Sequence, residues 1–422
     1  NVKGLYVLAS APRTPSKGPG IYFSREFGNS IEKAFYKDMT VPEFIDRILQ
    51  KRAVTFIGPG DAYKLLSGEE GKGNWESIGS LSQKPPLILD NCLSYDELKI
   101  AAMVYISSWT VTINNGTRYN EGEVNEKDIE QEAIIIGTIG PRFERINRMD
   151  YEDILITESQ NSPENGYGEE VTPTTCLNMW SEFYQVPSYT YSELSSYINT
   201  DNKSDERRYT DRFVHIPTKS AIFDNEAYYK RIVIIAETVL LEAERRASEA
   251  GREAFVNVIG CLGVWKISSH QNDVYVLTFV ERTRALLRRD ALHHVTDVNF
   301  NYIGTSDSIK GGKKHPKGGI NIQFSNREPS SKLSGEHAGK LLVMTYPWDS
   351  NAHPGNEFCL RVGESPPAIF TCLLNIVTAG AIVSIVPQYL VHYHPITIAQ
   401  LVLSCRLSIV LSKPEVVLGC TL

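Results

Sequence analysis

Ten residues, Trp348 to Glu357, gather Trp348, Asp349, Asn351, His353, Asn356 and Glu357 around a turn set by Pro354 and Gly355. They follow Leu341–Tyr346, six residues that read as a buried strand. A dry strand that breaks into a polar, Gly/Pro-pinned loop is how an α/β sheet presents chemistry at its carboxyl ends. Asp349 can accept from sugar hydroxyls or hold a water, Asn351 and Asn356 both donate and accept, and Glu357 can pair with an arginine. Carboxylates on converging loops suit general acid/base work on a glycosidic bond. His353, before Pro354, reads as a turn residue, and no H-x-x-x-H spacing occurs, so no transition-metal site is expected.

Two more loops can meet this one. Gly260 and Gly263 let a ligand approach the backbone between 260 and 271, and Trp265, after Val264, can stack on a base or fill a core. Ser268, Ser269 and Asn272 can cap the helix that follows, whose free N–H groups favour a phosphate; Gln271 lies at its start. Asp297, inside the apolar run Val295–Phe300, needs a hydrogen-bonding partner or a strand end, because an unpaired buried carboxylate costs several kcal/mol, roughly. It is either a functional acid or a structural cap. Asp307, in the next loop, is a further acid.

The elements that must position these loops are legible as patterns. Asp224–Arg252 is the longest helix candidate, with Ile232, Ile235, Ala236, Val239, Leu240 and Ala243 on one face, Glu242, Glu244, Arg245 and Arg246 solvated, and Gly251 as its terminator. Strands are expected at 254–260, 295–300, 320–325 and 341–346, with a helix over 273–289, which makes a parallel α/β sheet. Ser94 and Glu97 form a capping box for a helix at 94–105; 133–139 and 153–157 read as strands and 158–175 as a polar loop. Arg118, Arg142 and Arg145 either gather at an anion or solvate a surface. Four segments result: an arm and small α+β region over 1–86, an α+β region continuous with it over 87–217, an α/β ligand-binding domain over 218–365, and an apolar tail over 366–422.

Composition narrows the class. In 422 residues, 42% are hydrophobic and 22% charged, as in a folded soluble protein, and two or three domains are the expectation. A net charge of −7 gives no basic excess for nucleic acid or an anionic membrane. Seven scattered cysteines without C-x-x-C fit reduced thiols in a cytoplasmic protein, and the sequons at Asn115 and Asn202 read as chance. The first residue is Asn1 rather than Met, which reads as a missing N-terminus. Ala368–Val386 carries no charge and Ile396–Leu411 is a second apolar run; Asn375, Thr378, Gly380 and the Pro387 break favour a buried layer or an aberrant tail over a membrane hairpin.

Gly263-Val-Trp265 with Gln271, Asn321-Ile-Gln-Phe-Ser-Asn-Arg327 and Trp348–Glu357 together resemble the MavL-like family, as do Ile113-Asn-Asn-Gly-Thr-Arg118 and Gly137-x-x-Gly-Pro-Arg-Phe143. This family of atypical macrodomains is named after a Legionella effector that removes ADP-ribose from an arginine of modified ubiquitin. The resemblance spans roughly 20–360 and implies a three-layer macrodomain-like mixed sheet with an additional N-terminal α+β region. It implies ADP-ribose as ligand or product, no cofactor, no metal, and an ADP-ribosylated protein, such as ubiquitin, as partner. Carried over, Asp297, Asp349 and Asp307 are the acids. Gly260, Gly263, Val264, Trp265, Ser269, Gln271, Trp348, Asn351, Asn356 and Glu357 line the ligand, with 260–271 cradling the diphosphate and Trp265, Asp297 and Asp349 sharing one cavity. Cys359 and the tail after Pro367 depart from the family pattern. Three alternatives stay open: a non-catalytic reader, an ADP-ribosyltransferase suggested by Ile113–Arg118 and Asp150-Tyr-Glu152, and a scaffold using 1–215.

Overall fold

The computed structural model describes residues 29–53, 55–57, 60–65, 67–103, 105–112, 125, 127–168, 176–198, 211–260, 266–303, 313–314 and 319–347. In chain order they form α1 (Ser30–Tyr36), α2 (Val41–Gln50), β1 (Thr55–Ile57), β2 (Ala62–Lys64), β3 (Glu70–Lys72), α3 (Tyr95–Ala101), β4 (Ile106–Thr110) and β5 (Ala133–Thr138). Next come α4 (Tyr151–Ile154), β6 (Leu155–Ile156), α5 (Cys176–Tyr184), α6 (Tyr191–Ile198), β7 (Phe213–Ile216), β8 (Ala221–Asp224) and α7 (Asn225–Ala250). The last are β9 (Ala254–Ile259), α8 (Gln271–Arg288), β10 (Val295–Asn301), β11 (Lys313–Lys314), β12 (Asn321–Ser325) and β13 (Leu341–Pro347).

Local chemistry accounts for the helix ends. Asn29, Thr40 and Ser94 each close a capping box, with Glu32, Glu43 and Glu97 three residues on. Asp224 accepts from the amides of Glu226 and Ala227, and Gly251 ends α7 in the left-handed region at φ 63°. Residues 58–86, with Gly58, Gly60, Gly71 and Gly73, read as a loop region, but β2 and β3 form within them and join β1 in a meander. Where 153–157 reads as a strand, one helical turn precedes a two-residue strand. The turn wins because Asp150 is held by the backbone amide of Arg142 and by the Arg231 guanidinium.

The large sheet has seven strands in the order β11-β12-β10-β9-β13-β5-β4. Its five central strands are parallel, and β11 and β4 run antiparallel at the edges. Strands from 87–217 and from 218–365 share it, so the expected boundary at 217/218 does not separate two sheets. Alternation sets its two faces. Ala254, Val256, Val298, Phe300, Leu341 and Val343 join Ile232, Ile235 and Val239 of α7 and Phe279 of α8 in the main core. Phe255, Leu342, Met344 and Ala133 face the other way and pack with Leu333 in a small second cluster. The result is a mixed α/β fold with a central mixed sheet, as a three-layer architecture requires. Its N-terminal region, through Tyr36, Phe44, Phe56 and Trp75, belongs to the same core.

Two residues expected at the solvated face of α7 have structural roles. Glu242 is buried between Arg245 (2.6 Å) and Arg246 (2.8 Å). Glu244 accepts from the His294 and Val295 amides, tying α7 to the start of β10.

Candidate active site

The chain steps outward from β9 to β10 and β12, then returns to insert β13 on the other side of β9. That reversal is a topological switch point, where α/β sheets open a crevice outside the strand carboxyl ends. Here the opening is visible in the register. β9 and β13 pair from Ala254/Leu341 to Asn257/Met344 and no further, while β13 stays paired with β5 to Pro347/Thr138. At the split the Thr345 hydroxyl accepts from the Ile259 amide (2.7 Å) and donates to the Ile259 carbonyl (3.2 Å). One hydroxyl thus replaces the next rung of the ladder and satisfies the parting strand. β9 ends at Ile259 and β13 at Pro347, on the two sides of this parting.

On the β9 side, Gly260 is half-buried, Ser269 is exposed and Gln271 is fully buried. The Gln271 side-chain oxygen accepts from the amides of Ile267 (2.8 Å) and Ser268 (2.9 Å), so this residue shapes the loop. His270, which the sequence does not single out, bonds Ser268 Oγ (2.7 Å) and Asn225 Oδ1 (2.8 Å) and packs edge-on against Phe223, pinning the loop to the start of α7. No side chain caps α8 from His270. The amides of 271–274 instead bond the carbonyls of Ser268, Ser269 and His270. These N–H groups, expected to be free for a phosphate, are therefore taken by the loop's own carbonyls.

Asp297 lies at the other end of the sheet. It pairs in register with Phe255 and Asn321, near the amino ends of β9 and β12. Four residues of strand, roughly 13 Å, separate it from the carboxyl end of β10. Its carboxylate is fully buried and accepts from Lys340 Nζ (2.6 Å), Thr296 Oγ1 (2.8 Å), Asn321 Nδ2 (3.1 Å) and Gln323 Nε2 (3.2 Å). This is the partnered carboxylate that an apolar strand requires, and it ties β10 to β12 and to the start of β13. Burial would raise its pKa, but the Lys340 ammonium and the Asn321 and Thr296 hydrogen bonds hold it below the ordinary value. A depressed carboxylate contributes stability above its unfolded pKa of about 3.9, lost as pH falls through the lower folded value. Lys340→Met is expected to cost about 2–3 kcal/mol at pH 7, below the full penalty of a buried orphan charge because Lys340 is partly exposed. Urea unfolding should show that deficit shrinking below pH 4; a deficit that is constant with pH would deny the pair its role.

Asp349, Asp307, Gly263, Val264, Trp265, Trp348, Asn351, Asn356 and Glu357 lie outside the described residues, as do Arg118, Cys359 and the 366–422 tail. Of the three arginines considered together, Arg142 is buried beside Met149 Sδ (3.2 Å) and Glu144 (3.5 Å). Arg145 pairs with Asp61 and Glu76. Asp150-Tyr-Glu152 forms a helical turn, not a strand. Asp150 meets Arg231, and Glu152 and Asp153 converge on the buried Lys99 (3.5 and 2.6 Å). Among the described residues, no three His, Cys, Asp or Glu side chains are grouped to hold a metal, and no helix is long and apolar enough to cross a membrane.

Compared with known proteins, residues 21–378 match the sequence profile described as ADP-ribosylhydrolase MavL-like. The chain belongs to the MavL-like ADP-ribosylhydrolase family. Two of its relatives are Drosophila melanogaster proteins. ADP-ribosylarginine hydrolase CG3568 is 41% identical over 351 residues, 79% of this chain and 66% of the relative. ADP-ribosylarginine hydrolase CG2909 is 37% identical over 356 residues, 80% of this chain and 68% of the relative. The chain thus spans about two thirds of the length of each. Within this family member, sequence reasoning passed over Thr345, His270 and three asparagines on the central strands. The asparagines had a signal: Val256-Asn-Val and Val298-Asn-Phe-Asn301 put amides at alternate positions of otherwise apolar strands.

Proposed function

We propose that this chain hydrolyses the bond between ADP-ribose and an arginine side chain of a modified protein. The observation that supports this most is the parting of β9 from β13 at the switch point, at the strand ends from which the chain runs on into the 260–271 and 348–357 stretches that resemble the family's ligand loops. In this reading the backbone from Gly260 through Gly263 approaches the diphosphate, and Trp265 and Trp348 flank the nucleoside. Asp349 orients a water toward the anomeric carbon, or holds the 2″-hydroxyl. Water adds its hydroxyl to that carbon, the carbon–nitrogen bond breaks, and the guanidine nitrogen takes the remaining proton. The names of both relatives, each an ADP-ribosylarginine hydrolase, agree with that bond.

Asp297 is not assigned to this step, because its carboxylate serves the amino edge of the sheet. Incubation with an arginine-ADP-ribosylated polypeptide should release free ADP-ribose and regenerate unmodified arginine, read by mass spectrometry. Running modified ubiquitin beside unrelated modified proteins would test the acceptor. Tight binding of ADP-ribose without release would make the chain a reader instead. Neither binding nor release would overturn the proposal.

A further inference from the structure

Beneath α4 one cation serves two carboxylates. Lys99, on α3, is fully buried and lies 2.6 Å from Asp153 and 3.5 Å from Glu152. Its ammonium also sits over the Trp180 ring at 4.8 Å. The other acids nearby have cations of their own. Asp150 is held by Arg231, Glu144 by Arg142, Glu76 by Arg145 and Asp224 by Arg212. Asp96, in the first turn of α3, adds a further negative charge. Among the described residues that leaves exposed Arg148, 4.0 Å from Glu152.

Lys99 can neutralise one carboxylate, and Asp153 is the nearer. A second buried charge then lacks a counter-ion, and desolvation favours its neutral form. Burial accordingly pushes both carboxyls up against the pull of Lys99, Glu152 to about 7. The two share one proton until about neutral pH. Glu152 is the partner that can reach water, with 18% of its side chain exposed against 9% for Asp153.

Glu152 also stands at a partition. On one side is a cavity of about 20 Å³, room for about one water, lined by Asp153, Trp180 and Tyr184. On the other is a cleft of about 610 Å³, lined by Arg145, Arg148 and Gln160. Glu152 and Tyr167 line both spaces. The Tyr167 hydroxyl donates to the Glu152 carbonyl (3.2 Å), which fixes the backbone of the partition and leaves the Glu152 carboxyl as its movable part. In the cavity wall, Trp180 Nε1 and Tyr184 Oη are buried without a hydrogen-bond partner among the described residues. Water entering there would satisfy both.

We propose that Glu152 is a proton-operated gate: protonated, it rests beside Lys99 and separates cavity from cleft; ionised, it turns to Arg148 and admits water to Trp180 and Tyr184. The closed form is favoured below neutral pH and the open form above it, because only the ionised carboxyl gains from leaving the buried cluster for Arg148 and solvent. The proposed hydrolysis uses none of these residues, so gate and reaction stand or fall separately.

Tryptophan emission of the full chain tests the gate. There are five tryptophans, and the difference between wild type and Trp180→Phe isolates Trp180. From pH 5.5 to 8.5 that signal should shift to the red and become more open to acrylamide quenching, with its midpoint at about pH 7. Glu152→Gln keeps the size of the side chain and cannot ionise, so it should hold the closed signal throughout. Arg148→Met removes the open partner and should raise the midpoint by roughly half a pH unit, a small shift because an exposed cation is screened. If Trp180→Phe or Glu152→Gln does not fold, Arg148→Met decides on the emission of the whole chain. A Trp180 signal that ignores pH overturns the gate. So does the same transition in Glu152→Gln, which would assign it to a histidine, or an unmoved midpoint in Arg148→Met.

Discussion

Arg231→Met is expected to destabilise the protein by about 3–5 kcal/mol, a large share of the stability of an ordinary fold. Arg231 is fully buried on α7 and bonds Asp150 Oδ1 (3.1 Å), Tyr105 Oη (3.2 Å) and the Ile139 carbonyl (2.7 Å). Removing it leaves the Asp150 carboxylate buried without its counter-charge, and orphans a carbonyl just past the end of β5. Desolvating an unpaired carboxylate outweighs any gain from the added apolar contact. Urea unfolding should show a lower midpoint with an unchanged slope. Arg231→Met with Asp150→Leu should recover much of the loss, because neither charge then remains buried alone. A single-variant cost under about 1 kcal/mol would show that water reaches Asp150 and that the pair is not the clamp described.

The second expectation concerns chemistry, not folding. If the proposed reaction is this chain's, Asp349→Ala should lower its rate by about 10²–10⁴ while leaving ADP-ribose affinity within a few-fold. Asp349 follows Pro347 by two residues, and β13 holds its pairing with β5 to Pro347, past the point where β9 has parted. The chain thereby leaves β13 at the carboxyl end of the sheet, beyond the point where β9 has parted. Single-turnover kinetics would separate the chemical step from binding. Asp297→Asn supplies the contrast: its partners are Lys340, Thr296, Asn321 and Gln323, so it should reduce stability and leave the single-turnover rate nearly intact. An Asp349→Ala rate equal to wild type would remove this carboxylate from the mechanism. A loss of rate in Asp297→Asn, with stability unchanged, would reverse the two assignments.

The two aspartates show where local information stops. Both follow or interrupt apolar strands, and both need an explanation on desolvation grounds alone. The pattern places Asp297 inside β10 and demands a partner, and the structure supplies Lys340 from 43 residues away. The pattern does not say which end of the sheet that partner occupies. The three central asparagines were visible as amides in apolar runs, yet only the pairing of β9 with β10 brings Asn257 against Asn299.

By itself the sequence determined the elements. The face of α7, its Asp224 cap and Gly251 stop, the capping boxes at Asn29, Thr40 and Ser94, and strands β9, β10, β12 and β13 all follow from side-chain periodicity and from N–H and C=O groups satisfied within a few residues. Tertiary structure alone decided that β4 and β5 join the same sheet as the later strands, that β13 inserts between β9 and β5, and that Asp297 faces the amino edge. The reason is range: a strand's alternation states which side chains share a face, whereas neighbour, direction and register come from contacts between segments distant along the chain.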